Sequence, residues 1–206
     1  MTMTLAPDLV GVVRPAWAAV EPVTVIERAE AMDGPLRDSA VRMRSAVESA
    51  DITAAVRAMY KRVGLDPTKT RPSSEALLRR VRRGDELPRI NSLVDIINWC
   101  SLESQLPFGL YDLDKIEGDV TLRLGGPGEE YAGIRKDTVH VGGRLTLADA
   151  AGPFGNPTSD SARTMVTTST RRALVVIFAP ASIPAAGVER SEEYSSELQS
   201  RFGISY

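Results

Sequence analysis

The chain has 206 residues, of which 43% are hydrophobic and 25% charged, with a net charge of −2. This size suits one well-packed domain, and no segment approaches the roughly 18 consecutive apolar residues of a membrane helix. The single cysteine, Cys100, excludes an internal disulfide, and the amino end lacks the basic and apolar regions of a secretion signal, so we expect a reducing cytoplasm. One histidine, His140, leaves little scope for a catalytic triad. We expect no metal and no cofactor, because zinc-ligand spacing and phosphate-binding glycine loops are both missing from the sequence.

The amino-terminal part predicts two short strands and then three helices. β-branched residues favour strands at 7–14, closed by Pro15, and at 23–27. Apolar residues at helical spacing predict three helices. The first spans 36–49, the second begins at a cap at Asp51 or Thr53 and ends at Gly64, and the third spans 73–83.

Positive charge is concentrated in the region that holds the second and third helices. Between Arg57 and Arg89 there are ten basic residues against four acidic ones, whereas residues 92–150 hold five basic and ten acidic. A local basic surface suits a polyanion, although a solvated arginine face on a helix gives the same pattern.

A central helix is predicted at 92–104, capped by Asn91. Its apolar residues cover nearly the whole circumference, so the helix belongs inside a domain: Leu93, Val94, Ile96, Ile97, Trp99, Cys100 and Leu102. Asn91, Asp95 and Asn98 nevertheless form one polar line along it. That line is either a satisfied structural network or the wall of a ligand site, since a buried carboxylate needs partners.

Beyond the central helix the pattern changes to strands. Strands are predicted at 119–124, 163–168 and 173–178, the last as an interior strand. Two more, at 138–141 and 145–147, are predicted to form a hairpin around Gly142-Gly143. The stretch 150–161 is predicted to be irregular. A final helix is expected around 187–200. The architecture is therefore α+β: a mainly antiparallel, sandwich-like sheet assembly with the central helix buried and the amino-terminal helices flanking it. We expect a single domain, made of an amino-terminal segment 1–67, a core 68–183 and a carboxyl-terminal helix or tail 184–206.

The segment PRINSLVDIINWCSLESQLPFGLYDLDKIEGDVTLR, which begins at Pro88, resembles the editing domain of the phenylalanyl-tRNA synthetase beta subunit. That family has a signature of the form PINxLVDxTNYVxLExxQPxHAFD, and the matching residues are Ile90, Asn91, Leu93, Val94, Asp95, Asn98, Leu102, Glu103, Pro107, Tyr111 and Asp112. A second motif, S-x-V-x-x-x-T, is matched by Thr164, Val166 and Thr170. The resemblance covers about 70–180. Since no other synthetase module fits in the rest of the chain, we expect a free-standing editing-like domain.

The resemblance implies an activity and a set of site residues. Such domains hold the aminoacylated 3′ end of a tRNA and hydrolyse the ester of a wrong amino acid. Asn98 would then be catalytic, orienting water or the ester, while Asn91 and Asp95, also counted as substrate-binding, would hold the helix start and its adjoining loop. The other expected substrate-binding residues are Gly109, Asp160, Thr168, Ser169 and Thr170. The expected tRNA-binding residues come from the basic region: Lys69, Arg71, Arg79, Arg80, Arg82 and Arg83.

Two departures from the family pattern affect these expectations. Gly109 stands where the signature has histidine, and the glutamate that reads a tyrosine hydroxyl falls at Ala162, with Asp160 close by. The amino-acid specificity is therefore not carried over. The chain is interpreted as a trans-acting aminoacyl-tRNA deacylase, with two alternatives: a non-catalytic tRNA-binding module, or a protein that binds a free amino acid in the same pocket. In no case is a membrane partner expected.

Overall fold

The computed structural model describes residues 1–45, 50–135 and 137–184, and within these ranges the fold is α+β, as predicted. The helices are α1 (Asp33–Ser45), α2 (Ala50–Arg62), α3 (Ser73–Arg82) and α4 (Ser92–Ser104). The strands are β1 (Met3–Leu5), β2 (Val13–Val20), β3 (Phe108–Asp112), β4 (Val120–Leu124), β5 (Glu130–Ala132), β6 (Thr138–His140), β7 (Leu145–Asp149), β8 (Gly152–Gly155) and β9 (Ala173–Pro180). The final helix predicted at 187–200 lies outside the described residues. Of the helices that the structure describes, none combines the length and apolar content needed to cross a membrane.

The described strands form sheets of four, three and two strands. Their orders are β1-β4-β7-β8, β2-β9-β3 and β5-β6. Every pair of neighbours is antiparallel except β1 with β4. All eight residues of β9 are buried because this strand lies between β2 and β3, which confirms the predicted interior strand.

Helix α4 is buried and packs against α1, α3 and β3. Its bounds match the predicted 92–104. At its carboxyl end, Glu103 ties it to α1: its Oε1 accepts hydrogen bonds from the Ser39 hydroxyl and, at 2.6 Å, from the Arg42 guanidinium. The apolar circumference of α4 is therefore covered by helices on one side and by sheet on the other.

Both strand predictions in the amino-terminal part were wrong. Residues 7–14 open with a short 3-10 turn at Pro7–Leu9, and Gly11 adopts a positive φ of 75°. The strand starts only at Val13 and continues through Pro15, which is tolerated because β2 is an edge strand of its sheet. Residues 23–27 form no strand.

The carboxyl-terminal hairpin prediction was also wrong. β6 pairs with β5, and β7 pairs with β4 and β8, so the glycines at 142 and 143 connect two different sheets. Residues 163–168 form no strand: the Thr167 N–H donates to the Thr170 hydroxyl and the Thr167 hydroxyl bonds to that of Ser169, and this local bonding overrides their β-branched character. The supposedly irregular stretch contains β8.

A buried polar network fixes the start of α4. The Asn91 side chain accepts the Val94 N–H at 2.9 Å as the helix cap. One oxygen of Asp95 accepts the Ile90 N–H at 2.9 Å, and the other accepts the Arg89 Nε–H at 2.6 Å. Because the Asp95 side chain is fully buried, both of its oxygens depend on these donors.

We expect Asp95→Asn to lower the free energy of unfolding by about 3 kcal/mol, since its NH2 group would replace one of the two buried acceptor oxygens and face a donor, either the Ile90 N–H or the Arg89 guanidinium. Urea unfolding followed by circular dichroism measures the change. Asp85→Asn is the matched control, because Asp85 forms an exposed ion pair with Arg83 and its replacement should leave the midpoint nearly unchanged. Equal effects of the two substitutions would contradict this role for Asp95.

Candidate functional site

An open cavity of about 530 Å³ lies beside α4. Four parts of the chain form its walls: Ile90 together with α4, strand β3, the ribbon of β5 and β6 with the turn between them, and the loop 158–166. The lining residues are Ile90, Val94, Ile97, Asn98, Phe108, Leu110, Gly133, Ile134, Arg135, Asp137, Val139, Thr158, Ser159, Asp160, Met165 and Val166. Most of the wall is apolar, with a few polar groups, the usual composition of a small-ligand site.

Asn98 is the only member of the polar line on α4 that reaches this cavity. It is half-buried, whereas Asn91 and Asp95 are 6% and 1% exposed and are occupied by the network at the helix start. The side-chain amide of Asn98 offers both a donor and an acceptor to a bound molecule. Of the three residues, only Asn98 is placed to touch a ligand.

Apolar side chains surround the cavity mouth. Ile90, Ile134 and Met165 are 58%, 47% and 37% exposed, and all three line the cavity. Exposed apolar groups at the rim of a cleft are typical of binding sites. The mouth therefore suits a ligand with a sizeable apolar part.

Asp160 places a titratable carboxyl in the cavity wall. Burial raises its pKa to about 7, and the neighbouring Tyr111 hydroxyl opposes part of that rise. Burial and the nearby Asp160 carboxyl raise the pKa of Tyr111 well above its usual value. The Asp160 carboxyl therefore changes its charge near neutral pH, within the wall of the cavity.

Tyr111 fills the space beside Gly109. A Cβ atom on Gly109 would lie 2.8 Å from Cε2 and Cζ of Tyr111 and closer still to its hydroxyl. A Cβ atom on Gly155 would lie 2.6 Å from Cζ of the same ring. The ring also packs edge-on against Phe154, with centroids 5.0 Å apart. Tyr111 therefore leaves no room for a side chain at position 109.

The Tyr111 hydroxyl is buried and forms no hydrogen bond of normal geometry with any described residue. It faces Asp160 closely enough to affect that carboxyl's pKa. A buried hydroxyl without a partner costs about 1–3 kcal/mol. The tight packing of the ring between the two glycines holds it in this position.

Hydrogen bonds within the loop that carries Asp160, and from α2 and β5, hold that loop in place. The Asn156 side chain accepts the N–H groups of Thr158 and Ser159, each at 2.8 Å. Tyr60 of α2 donates its hydroxyl to the Pro157 carbonyl at 2.8 Å, and Tyr131 of β5 donates to the Ser159 carbonyl at 2.6 Å. This wall of the cavity is therefore fixed by hydrogen bonds from distant elements.

The two sequence motifs meet at Asp112. Its Oδ2 accepts the Thr170 hydroxyl at 2.7 Å, and its backbone N–H donates to the Thr164 carbonyl at 2.8 Å. Thr170 is buried and its hydroxyl is used in this bond, while Thr168 and Ser169 are exposed and do not line the cavity. Within the motif, at 164–170, Met165 and Val166 are the residues that reach the cavity wall.

The basic candidates lie on the surface of α3, in the loop before it and, for Arg83, directly after it. Lys69, Arg79, Arg80, Arg82 and Arg83 are exposed, and Arg71 is half-buried. Arg71 and Arg83 form ion pairs with Glu75 and Asp85 at 3.4 and 3.2 Å. None of these six residues lines the cavity, so they form a separate surface.

The chain matches the model of the family described as the B3/4 domain over residues 55–203, more than half of its length. The chain belongs to the B3/4 domain family. This B3/4 domain is 33% identical over 128 residues to the phenylalanine–tRNA ligase beta subunit of Ralstonia nicotianae, and 37% identical over 82 residues to that of Fusobacterium nucleatum. These alignments take in 57% and 39% of this chain but only 15% and 10% of the two subunits.

A solved structure has the same fold as this B3/4 domain. It is an N-terminal fragment of the phenylalanyl-tRNA synthetase beta subunit from Pyrococcus horikoshii, with a TM-score of 0.50 and 14% sequence identity. The likeness covers 98% of this chain and 49% of that fragment. At this identity it establishes the fold alone.

Sequence reasoning missed most of the cavity wall of the B3/4 domain. Phe108 and Leu110 line it from β3, a strand that was not predicted, and the β5–β6 ribbon supplies Ile134 and Val139. Phe108, Leu110 and Asp112 are spaced two residues apart, and this spacing could have predicted β3, because alternate residues of a strand face the same side of a sheet.

Among the described residues, no group of His, Cys, Asp and Glu side chains is arranged to hold a metal ion.

We expect Gly109→Ala to destabilise the B3/4 domain by about 1–3 kcal/mol, because the new methyl group overlaps the fully buried Tyr111 side chain. Gly34→Ala is the control: nothing lies within 4 Å of its added Cβ, so its stability should be unchanged or slightly higher. Thermal unfolding compares the two variants. If Gly109→Ala is as stable as the unmodified protein, the packing described for Tyr111 is wrong.

A second prediction concerns pH. Because burial raises the pKa of Asp160 from 3.8 to about 7, the folded state holds a proton that the unfolded state has lost. That contribution to stability is complete below about pH 4 and disappears as the pH rises through about 7. Urea unfolding between about pH 4 and pH 8 should therefore show a flatter pH dependence for Asp160→Asn than for the unmodified protein. Identical profiles would contradict the raised pKa.

Proposed function

We propose that this B3/4 domain hydrolyses the ester of a misacylated tRNA, with the aminoacylated 3′ end bound in the cavity beside α4. The observation that carries the proposal is the presence of Asn98 and Asp160 in one open cavity of about 530 Å³. The similarity to phenylalanine–tRNA ligase beta subunits supports tRNA as the partner. The cytoplasmic location expected from the single cysteine belongs to the same proposal.

The cavity contains groups suited to ester hydrolysis. A water molecule attacks the ester carbonyl carbon, the bond to the ribose oxygen breaks, and the products are a free amino acid and a ribose hydroxyl. Asn98 would orient the water or the carbonyl oxygen through its amide. Asp160, with a pKa of about 7, would accept the water proton and return it to the leaving ribose oxygen. An aminoacyl ester is already activated, so positioning supplies much of the rate.

The basic surface on α3 would hold the body of the tRNA. Four exposed arginines lie there within five residues, at positions 79, 80, 82 and 83. Arginine binds phosphate through its planar group of N–H donors, and such contacts make affinity fall with salt. The surface and the cavity would thus contact different parts of one RNA.

One observation favours the alternative of a tRNA-binding module without activity. Gly109 stands where the family signature has histidine, and the Tyr111 ring leaves no room for a side chain there, so that position offers none to a substrate. Salt-sensitive tRNA binding without release of any amino acid would select this alternative. A thermal shift with free amino acids but none with tRNA would select a small-molecule site instead.

We expect Asn98→Ala to slow deacylation by about 100-fold, the usual loss when one orienting hydrogen bond is removed from a reacting group. The assay follows release of labelled amino acid from a panel of mischarged tRNAs, and circular dichroism verifies folding. Thr168→Ala is the matched control, because Thr168 is exposed and outside the cavity, and its rate should be unchanged. No release above background by the unmodified protein, with any tRNA of the panel, would reject the deacylase.

A further inference from the structure

A second cavity, of about 310 Å³, lies between α1 and the segment that joins α3 to α4. Its apolar floor is formed by Leu36, Ala40 and Leu87, all buried. The charged residues that line it are four arginines and two acids: Arg28, Arg37, Arg44, Arg89, Asp33 and Glu86. The lining alone therefore carries two more positive than negative charges.

Two of the four arginines are already neutralised by carboxylates. Arg28 and Arg89 both pair with Asp33, and Arg89 also pairs with Asp95 behind it. Their hydrogen bonds lower the pKa of Asp33, with Arg28 contributing most, so this carboxyl is ionised at neutral pH. This part of the cavity is thus a rigid, nearly neutral frame.

The other two arginines retain unused donors. Arg44 donates its Nε–H to the Val81 carbonyl at 2.8 Å and one Nη2–H to the Gly84 carbonyl at 2.9 Å, which leaves three of its five N–H groups. Arg37 is exposed and forms no ion pair with the residues that the structure describes. Both lie on α1, two turns apart, and only Glu86 in the lining remains to offset them.

We propose that this cavity is a phosphate-binding site, in which Arg37 and Arg44 hold the phosphate and the apolar floor contacts the attached organic group. Guanidinium groups match phosphate geometry and form charge-assisted hydrogen bonds that are stronger than neutral ones. Carbonyl acceptors fix the Arg44 group in advance, so less side-chain freedom is lost on binding.

Two kinds of molecule carry a phosphate group that this site would bind: an RNA, through its backbone, and a free phosphomonoester. The RNA source is supported by position: Arg89 lines this cavity and the next residue, Ile90, lines the cavity beside α4. A tRNA whose 3′ end enters the first cavity would pass close to the second. This source rests on the proposed function, whereas the free phosphomonoester does not.

The test compares the full chain with its Arg37→Gln variant, using uncharged tRNA, adenosine monophosphate and inorganic phosphate as probes. We expect Arg37→Gln to weaken binding by about tenfold, as for loss of a hydrogen bond to a charged group. With tRNA, the slope of log affinity against log salt should also fall by about 0.9. Lys115→Gln removes an exposed positive charge outside both cavities and should change neither quantity.

The probes separate the sources and the two proposals. An effect on tRNA supports the RNA backbone, and an effect on adenosine monophosphate or phosphate alone supports a free phosphomonoester. Unchanged binding of all three probes, or no binding by the unmodified protein, overturns the site. Because no probe carries an amino acid, a failed deacylation assay with Arg37-sensitive binding would reject the proposed catalysis and leave this site standing.

Discussion

The buried carboxylate of Asp95 is the interaction on which the rest of the site depends. It accepts the Ile90 N–H and the Arg89 Nε–H, and so fixes the turn by which the chain enters α4. An unpaired buried carboxylate would cost several kcal/mol, so the turn and the helix have to form together. Asn98 reaches the cavity one turn further along, at an angle that this anchoring determines.

The polar groups of the cavity depend on how one buried ring is packed. Gly109 leaves room that the Tyr111 ring takes, and Gly155 provides the second half of that room. The ring places a hydroxyl beside Asp160, a carboxyl whose pKa lies near 7. The polar chemistry of the cavity thus depends on residues that are far apart in sequence but share one packed volume.

The parts of the fold that the sequence predicted are those with strong local signals. Helix α4 has a cap at Asn91 and a long apolar pattern, and β9 has an unbroken apolar run, so both were found: α4 with its exact bounds, and β9 with its start at Ala173 but two residues short at its end. The strand errors arose where side-chain hydrogen bonds or pairing with distant strands override the local pattern. Residues 163–168 are β-branched but bind their own backbone, and the glycines at 142 and 143 change sheets instead of closing a hairpin.

The difference between local signals and contacts made by the folded chain also explains how much of the site was predictable. Asn98 and Asp160 could be named from motif positions, and both line the cavity. Thr168 and Ser169 share the motif's neighbourhood but face away, because the chain turns between Val166 and Thr170. The second cavity could not be foreseen, since Arg28 precedes α1, Arg37 and Arg44 lie on α1, and Arg89 follows more than forty residues later in the chain.

The bond from Tyr60 to the Pro157 carbonyl has a consequence for how this chain can be divided. Tyr60 belongs to α2, inside the amino-terminal 67 residues, yet it secures the loop that holds Thr158, Ser159 and Asp160. The Val63 carbonyl likewise accepts the Leu145 N–H at 3.1 Å, which joins the end of that helix to β7. The amino-terminal helices are thus part of the frame around the pocket, and a version of the protein cut at residue 67 would lose one of its supports even with every lining residue still present.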